Sequence, residues 1–128
     1  MKGFTVGLGF SLAVLLGVFG GCRKEPTSEE SVARLKAEFA EKQQGTDSAP
    51  SAAVDAVRLA IAAATSDQPA DGVIALQKAK AAPGLSASQL AAMEQTSQSL
   101  IADLTRRADG GDAKAKAQLQ AIERSRSQ

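Results

Sequence analysis

The longest helical pattern in the chain lies in residues 86–108, which read SASQLAAMEQTSQSLIADLTRRA. The larger apolar side chains of this stretch recur at helical spacing, at Leu90, Met93, Leu100 and Leu104. That spacing places them on one face of an α-helix. Ser86 and Gln89 have the spacing of a capping box, in which each side chain bonds the other residue's backbone N–H. The sequence therefore predicts a helix over residues 86–108 with one buried face.

On both sides of residues 86–108, glycine and proline divide the sequence into shorter helical segments. Pro69, Pro83-Gly84 and Gly110-Gly111 interrupt the pattern, since proline cannot continue a helix and glycine favours helix ends. Three more helices are predicted, over residues 52–65, 70–82 and 112–125. The first two of these are joined by a short turn and are expected to form an antiparallel hairpin.

Composition determines the fold class. From residue 22 onward the chain has 25 alanines but only 18 larger apolar residues. Alanine is the best helix former, and the alternating β-branched residues typical of strands do not occur over a useful length. We therefore predict an all-α fold, a small alanine-rich helical bundle of antiparallel helices over residues 52–126. Its thin core leaves room for an envelope protein as partner or for self-association.

A separate amphipathic helix is expected before this bundle, over residues 28–44. Thr27 and Glu30 have capping-box spacing at its start. One narrow apolar stripe runs along it, formed by Val32, Leu35 and Phe39. Residues 45–51 then have the glycine, proline and polar composition of a linker, which separates this helix from the rest.

The beginning of the chain has the layout of a secretory signal. Residues 1–21 contain one charged side chain, Lys2, followed by an uncharged and mostly apolar run. Gly20 and Gly21 then precede Cys22, which is the only cysteine of the chain. A charged start, an apolar middle and small residues at the cut are the three parts of a signal peptide.

Residues 18–22, VFGGC, resemble the lipobox of bacterial lipoproteins. The resemblance implies that a diacylglycerol is attached to the sulfur of Cys22 and that cleavage then makes this cysteine the mature amino terminus. Residues 22–27 would form a short tether from the membrane. In the same family an aspartate after the cysteine retains lipoproteins in the inner membrane. Arg23 stands there in this chain, which implies delivery to the outer membrane, facing the periplasm.

Two alternatives to lipidation are left open by these residues. The apolar run could act as a single uncleaved N-terminal membrane anchor, although it is slightly shorter than the roughly 20 apolar residues of a membrane span. It could also be removed without lipidation, which would give a secreted protein. Lipidation and an uncleaved anchor would both tether the domain to a membrane, and the charges on the two sides of the apolar run do not decide the orientation of such an anchor.

The chain lacks the side chains on which many enzymes depend. It has no histidine, and its one cysteine is assigned to the lipid, so neither a Ser-His-acid nor a Cys-His arrangement can form. The same absence removes the two best ligands for transition metals. Glu94 and Asp103 lie nine residues apart and are interpreted as part of a solvated face. We expect no catalytic residues, no metal and no cofactor.

Charge is balanced from residue 22 onward, with 14 basic and 14 acidic side chains, which argues against a nucleic-acid partner. The end of the chain is nevertheless basic. It carries six cations at Arg106, Arg107, Lys114, Lys116, Arg124 and Arg126. These cations are candidates for contact with an anionic envelope surface. Alternatively, Arg106 and Arg107 lie at the end of a helix, where cations are favoured, and the others belong to a solvated polar face.

The sequence thus predicts a membrane-anchored bacterial lipoprotein, a non-enzymatic structural or adaptor component of the cell envelope. The alternative function is a helical binding module for a peptide or a small apolar ligand. That alternative predicts an enclosed cavity among six apolar side chains, Val57, Ile61, Ile74, Met93, Leu100 and Leu104.

Overall fold

The computed structural model describes residues 25–41 and 50–128, and this part of the chain contains helices but no strand. Its five helices are α1 Ser28–Glu41, α2 Ser51–Thr65, α3 Pro69–Ala79, α4 Ala87–Asp109 and α5 Ala113–Arg126. The helices pack against one another, so the predicted all-α bundle is confirmed. The signal segment, the predicted end of the first helix at residue 44 and most of the linker lie outside the described residues.

Side-chain caps fix where the two last helices begin. The Gln89 backbone N–H donates to the Ser86 hydroxyl at 3.2 Å, and the Ser86 N–H donates to the Gln89 amide oxygen at 3.0 Å. This is the predicted capping box of α4. Asp112 caps α5 by accepting two backbone N–H groups. Gly111, with a φ of +97°, makes the turn between α4 and α5, and glycine adopts that conformation without strain.

Helix α3 ends three residues before its predicted end at residue 82. Lys80 is the C-cap of α3, and the Lys80 N–H donates to the Leu76 carbonyl. The next two N–H groups, of Ala81 and Ala82, bond carbonyls only three residues back, so the chain tightens into a turn. Pro83 explains this early end, because proline pushes the residue before it out of the helical region.

The position of α1 differs from the expected separate helix. Its Ser31 hydroxyl contacts that of Ser99, and Arg34 bonds Gln95, so α1 runs antiparallel to α4 and lies against it. Leu35 is fully buried in the core, which a detached helix could not achieve. The apolar stripe of α1 is short, but hydroxyl hydrogen bonds to α4 supplement it. Helix α1 is therefore part of the bundle.

The core has two parts, and α4 runs through both. The first part joins α1, α2, the end of α3 and the beginning of α4, around Leu35, Leu76 and Met93. The second part joins the beginning of α3, the end of α4 and α5, and its larger buried side chains are Val73, Leu100, Leu104 and Ile122. Helix α4 thus packs against α1, α3 and α5 and forms the centre of the bundle.

Helices α2 and α3 approach each other closely at Gly72. A Cβ atom on Gly72 would lie 3.0 Å from the Ala60 Cα and 3.1 Å from the Ala63 Cβ. Small residues allow such contact between helix backbones, and the short connection between α2 and α3 gives the predicted antiparallel hairpin. Leu59 points away from this contact and is 49% exposed, as its position off the apolar face predicts.

Candidate functional site

The predicted lipidation and cleavage residues, Gly20, Gly21 and Cys22, lie outside the described residues. None of the described helices is long and apolar enough to cross a bilayer. Glu25 is the first described residue after Cys22 in the sequence. The surroundings of Glu25 form the candidate site.

The chain is fixed on α4 from Pro26 onward. The Ser99 hydroxyl donates to the Pro26 carbonyl at 3.3 Å and lies 2.7 Å from the Ser31 hydroxyl. Between these two contacts, Thr27 and Glu30 form the predicted capping box of α1, with distances of 3.2 Å and 3.0 Å. The start of α1 and the residues before it therefore have a defined place on α4.

Thr96 adds a buried hydrogen bond to the same contact. Its hydroxyl donates to the Ser31 carbonyl at 3.1 Å and to the Ala92 carbonyl of its own helix at 2.8 Å. No role for Ser31, Thr96 or Ser99 was predicted from the sequence. Several hydroxyl residues lie beside the apolar face of α4, and they could have indicated a contact. Exposed helix faces carry hydroxyl residues as well, so this pattern does not distinguish the two.

A groove of about 250 Å³, here called the tether groove, lies beside this first described segment. It is lined by Glu25, Pro26, Ser28, Gln95, Gln98, Ser99, Ala102, Asp103 and Arg106. Arg106 Nη1 lies 3.3 Å from an Asp103 carboxylate oxygen, and the Arg106 side chain is 76% exposed. The groove therefore carries charges of both signs and several neutral polar groups.

Two of the six candidate cations lie where the connection between α2 and α3 meets the connection between α4 and α5. Arg107 and Lys114 both bond the Asp67 carboxylate in the connection between α2 and α3, and Arg107 also bonds Asp112 at 2.8 Å. Hydrogen bonds from Lys114 and then Arg107 lower the pKa of Asp67. The Ala115 backbone N–H and Arg107 lower the pKa of Asp112. These charges are engaged with each other and join the two connections.

Gln118 reinforces this junction from α5. It is buried, its amide oxygen accepts from the Ala70 N–H at 3.1 Å, and its amide nitrogen donates to the Asp67 carbonyl at 3.1 Å. The side chain thus satisfies backbone groups at the beginning of α3, where the first N–H groups of a helix have no partner within it. No role for Gln118 was predicted from the sequence.

The other candidate cations lie elsewhere in the bundle. Arg106 lines the tether groove, whereas Arg126 lies beside Gln77 at the far end of α5. Lys116 and Arg124 are exposed along α5. The six side chains are therefore distributed over several parts of the surface, and only Arg107 and Lys114 share a carboxylate partner.

The two carboxylates of α4 that the sequence singled out, Glu94 and Asp103, are separate from each other, and each lies beside a cation. Glu94 pairs with Lys80 at the end of α3, and that hydrogen bond lowers the pKa of Glu94 against the opposing effect of burial. Asp103 lies beside Arg106. Within residues 25–41 and 50–128, no group of three or more histidine, cysteine, aspartate or glutamate side chains could hold a metal ion.

The six residues of the predicted ligand cavity are divided between the two parts of the core. The first part of the core includes Val57, Ile61 and Met93. The second includes Ile74, Leu100 and Leu104. A small groove of about 170 Å³ lies between α1 and α2, beside Phe39 and Val54. Ligand pockets usually measure about 300–1,000 Å³, so this groove is small for a drug-sized ligand.

Comparison with known proteins identifies no relative of this chain: no family model, curated protein or solved structure matches it.

Proposed function

We propose that the chain is a membrane-anchored bacterial lipoprotein that acts by contact, as a non-enzymatic structural or adaptor component of the cell envelope. The observation that carries the proposal is the sequence VFGGC at residues 18–22, which ends an uncharged, mostly apolar run. A thiol is the side chain that forms a thioether with the lipid. Gly20 and Gly21 leave the backbone before it accessible to a protease. A diacylglycerol supplies the two acyl chains that stable anchoring takes.

The position of the first helix supports an anchored domain. Helix α1 begins at Ser28, only a few residues after Cys22. A lipid on Cys22 would therefore hold the bundle close to the membrane surface. Arg23 after the cysteine supports the outer membrane, facing the periplasm, as the location.

The side-chain inventory supports a function by contact. The sequence has no histidine, and its one cysteine is the lipidation site. The cluster of charges around Asp67 and Arg107 joins helix connections, and its members pair with one another. A rigid bundle on a short tether can present a surface to an envelope protein or to a second copy of itself.

The decisive experiment measures lipidation. The full chain is expressed in a Gram-negative host grown with radioactive palmitate, then extracted from membranes for intact-mass measurement. We expect a labelled product that begins at residue 22 and carries the mass of its acyl chains. Cys22→Ser should give an unlabelled full-length precursor, because serine cannot form the thioether. Ser11→Ala, within the apolar run, is the matched control and should be labelled like the natural chain.

Two results would contradict the proposal and identify the alternative. An unlabelled full-length chain in the membrane fraction would indicate an uncleaved anchor. A shortened, unlabelled chain in the soluble fraction would indicate secretion. Contact as the mode of action is tested by crosslinking in cells, which should join the lipidated chain to an envelope protein or to a second copy.

A further inference from the structure

The segment that leads back towards the predicted lipid leaves the bundle at Pro26, on the surface of α4. Pro26 is held on α4 by the Ser99 hydroxyl, and the following residues are held by the capping box of α1 and by the contact between Ser31 and Ser99. The bundle therefore cannot turn freely about α1, and the chain leaves the domain at one place on the surface of α4.

Chain length limits the distance between that place and the membrane. Four peptide units join Cys22 to Pro26, and a fully extended chain spans at most about 3.6 Å per residue, or about 14 Å here. The head-group layer on each side of a bilayer is itself about 5–8 Å thick. A diacylglycerol on Cys22 would thus keep Pro26 no more than about 6–9 Å beyond the head-group layer.

The surface nearest to Pro26 is the tether groove. Its charged side chains are Glu25, Asp103 and Arg106, and its neutral groups include the amides of Gln95 and Gln98. Arg106 uses one of its five N–H donors for Asp103 and is 76% exposed, so other donors point to solvent. Groups of both signs next to each other match a head group that has a phosphate and an ammonium.

We propose, on the basis of the lipidation proposed above, that the tether groove is the membrane-facing surface of the domain and that it binds zwitterionic phospholipid head groups. Arg106 would bond the phosphate, because a guanidinium presents paired donors to phosphate oxygens. Asp103 and Glu25 would attract the ammonium electrostatically. The bundle would then stand on the membrane in one orientation, with α2 directed away from it.

The test uses the fact that the chain has a single cysteine. Once Cys22 carries lipid, an introduced cysteine is the only free thiol and can carry a fluorophore. Gln98→Cys places the fluorophore in the tether groove, and Ala62→Cys places it on the exposed side of α2 as the matched control. The lipidated full chain is reconstituted in vesicles of phosphatidylethanolamine and phosphatidylcholine that contain a lipid with a nitroxide on its head group.

Nitroxide quenching should be several-fold stronger at residue 98 than at residue 62. Arg106→Glu should reduce the quenching at residue 98, because it replaces the phosphate-binding charge with one that repels phosphate. Arg124→Glu, on the exposed side of α5, should leave it unchanged. Circular dichroism of each variant confirms that the helices are intact.

Three outcomes would overturn the proposal, and they are distinguishable. Equal quenching at the two positions, on a chain with acyl mass on Cys22, would overturn the membrane-facing groove alone. Unchanged quenching in Arg106→Glu would overturn head-group binding by that residue. A chain without acyl mass would overturn both the proposed function and the orientation that rests on it.

Discussion

Gly72→Ala tests the close contact between α2 and α3. The new Cβ would lie 3.0 Å from the Ala60 Cα, a backbone atom that cannot rotate away, and 3.1 Å from the Ala63 Cβ. Overpacking of this kind costs about 1–3 kcal/mol. Alanine also has the better helix propensity, which contributes about 1 kcal/mol in the opposite direction. Because the nearest neighbour is backbone, we take the upper part of that range, about 2–3 kcal/mol, which leaves a net loss of about 1–2 kcal/mol in the free energy of unfolding.

The assay is thermal unfolding of the membrane-extracted chain in detergent, followed by far-ultraviolet circular dichroism, since the chain has no tryptophan or tyrosine for fluorescence. A loss of this size lowers Tm by about 4–16 °C, taking about 4–8 °C per kcal/mol for a small domain. Gly110→Ala is the matched control, because its Cβ would come no closer than 3.4 Å to the Arg107 carbonyl oxygen. A higher Tm for Gly72→Ala than for the natural chain would refute the close contact, because only the propensity term would then remain.

Two further predictions concern α1 and the charged junction. Leu35→Ala should lower the free energy of unfolding by about 2–5 kcal/mol in the same assay, because Leu35 is fully buried. Ala37→Gly, on the exposed side of α1, should lower it by only about 1 kcal/mol. Equal, small effects of the two substitutions would mean that α1 is detached. Asp67 has a pKa below its ordinary value of 3.8, so its contribution to stability is present above that pH and is lost as pH falls through the lower pKa of the folded state. Asp67→Asn should therefore weaken the fall of Tm with acid, measured by thermal unfolding at a series of pH values; a fall as steep as that of the natural chain would contradict the prediction.

Local signals were sufficient to predict most helix boundaries. The capping box of Ser86 and Gln89 begins α4, and Asp112 begins α5, because these side chains act on backbone groups within three residues. The helical spacing of α2 likewise puts Leu59 off its apolar face, where it is exposed. Each of these features depends on neighbours in sequence, so that spacing and residue type contain the necessary information.

Contacts between distant segments could not be predicted in the same way. Ser31, Thr96 and Ser99 read as ordinary polar residues, and only the packed bundle shows that they hold α1 on α4. Gly72 is a glycine inside a helical pattern, which is a signal, but the predicted hairpin of α2 and α3 did not show which residues of α2 approach it. Gln118 reaches backbone groups nearly fifty residues away, and its burial follows from the arrangement of α3 and α5.

The passage of α4 through both parts of the core has a consequence for how the domain melts. We expect the two parts of the core to open together, because the same continuous helix supplies side chains to each. The described bundle should therefore lose its structure in one all-or-none transition. Amide hydrogens in the middle of that helix, around Thr96 and Leu100, would be the last to exchange with solvent deuterium.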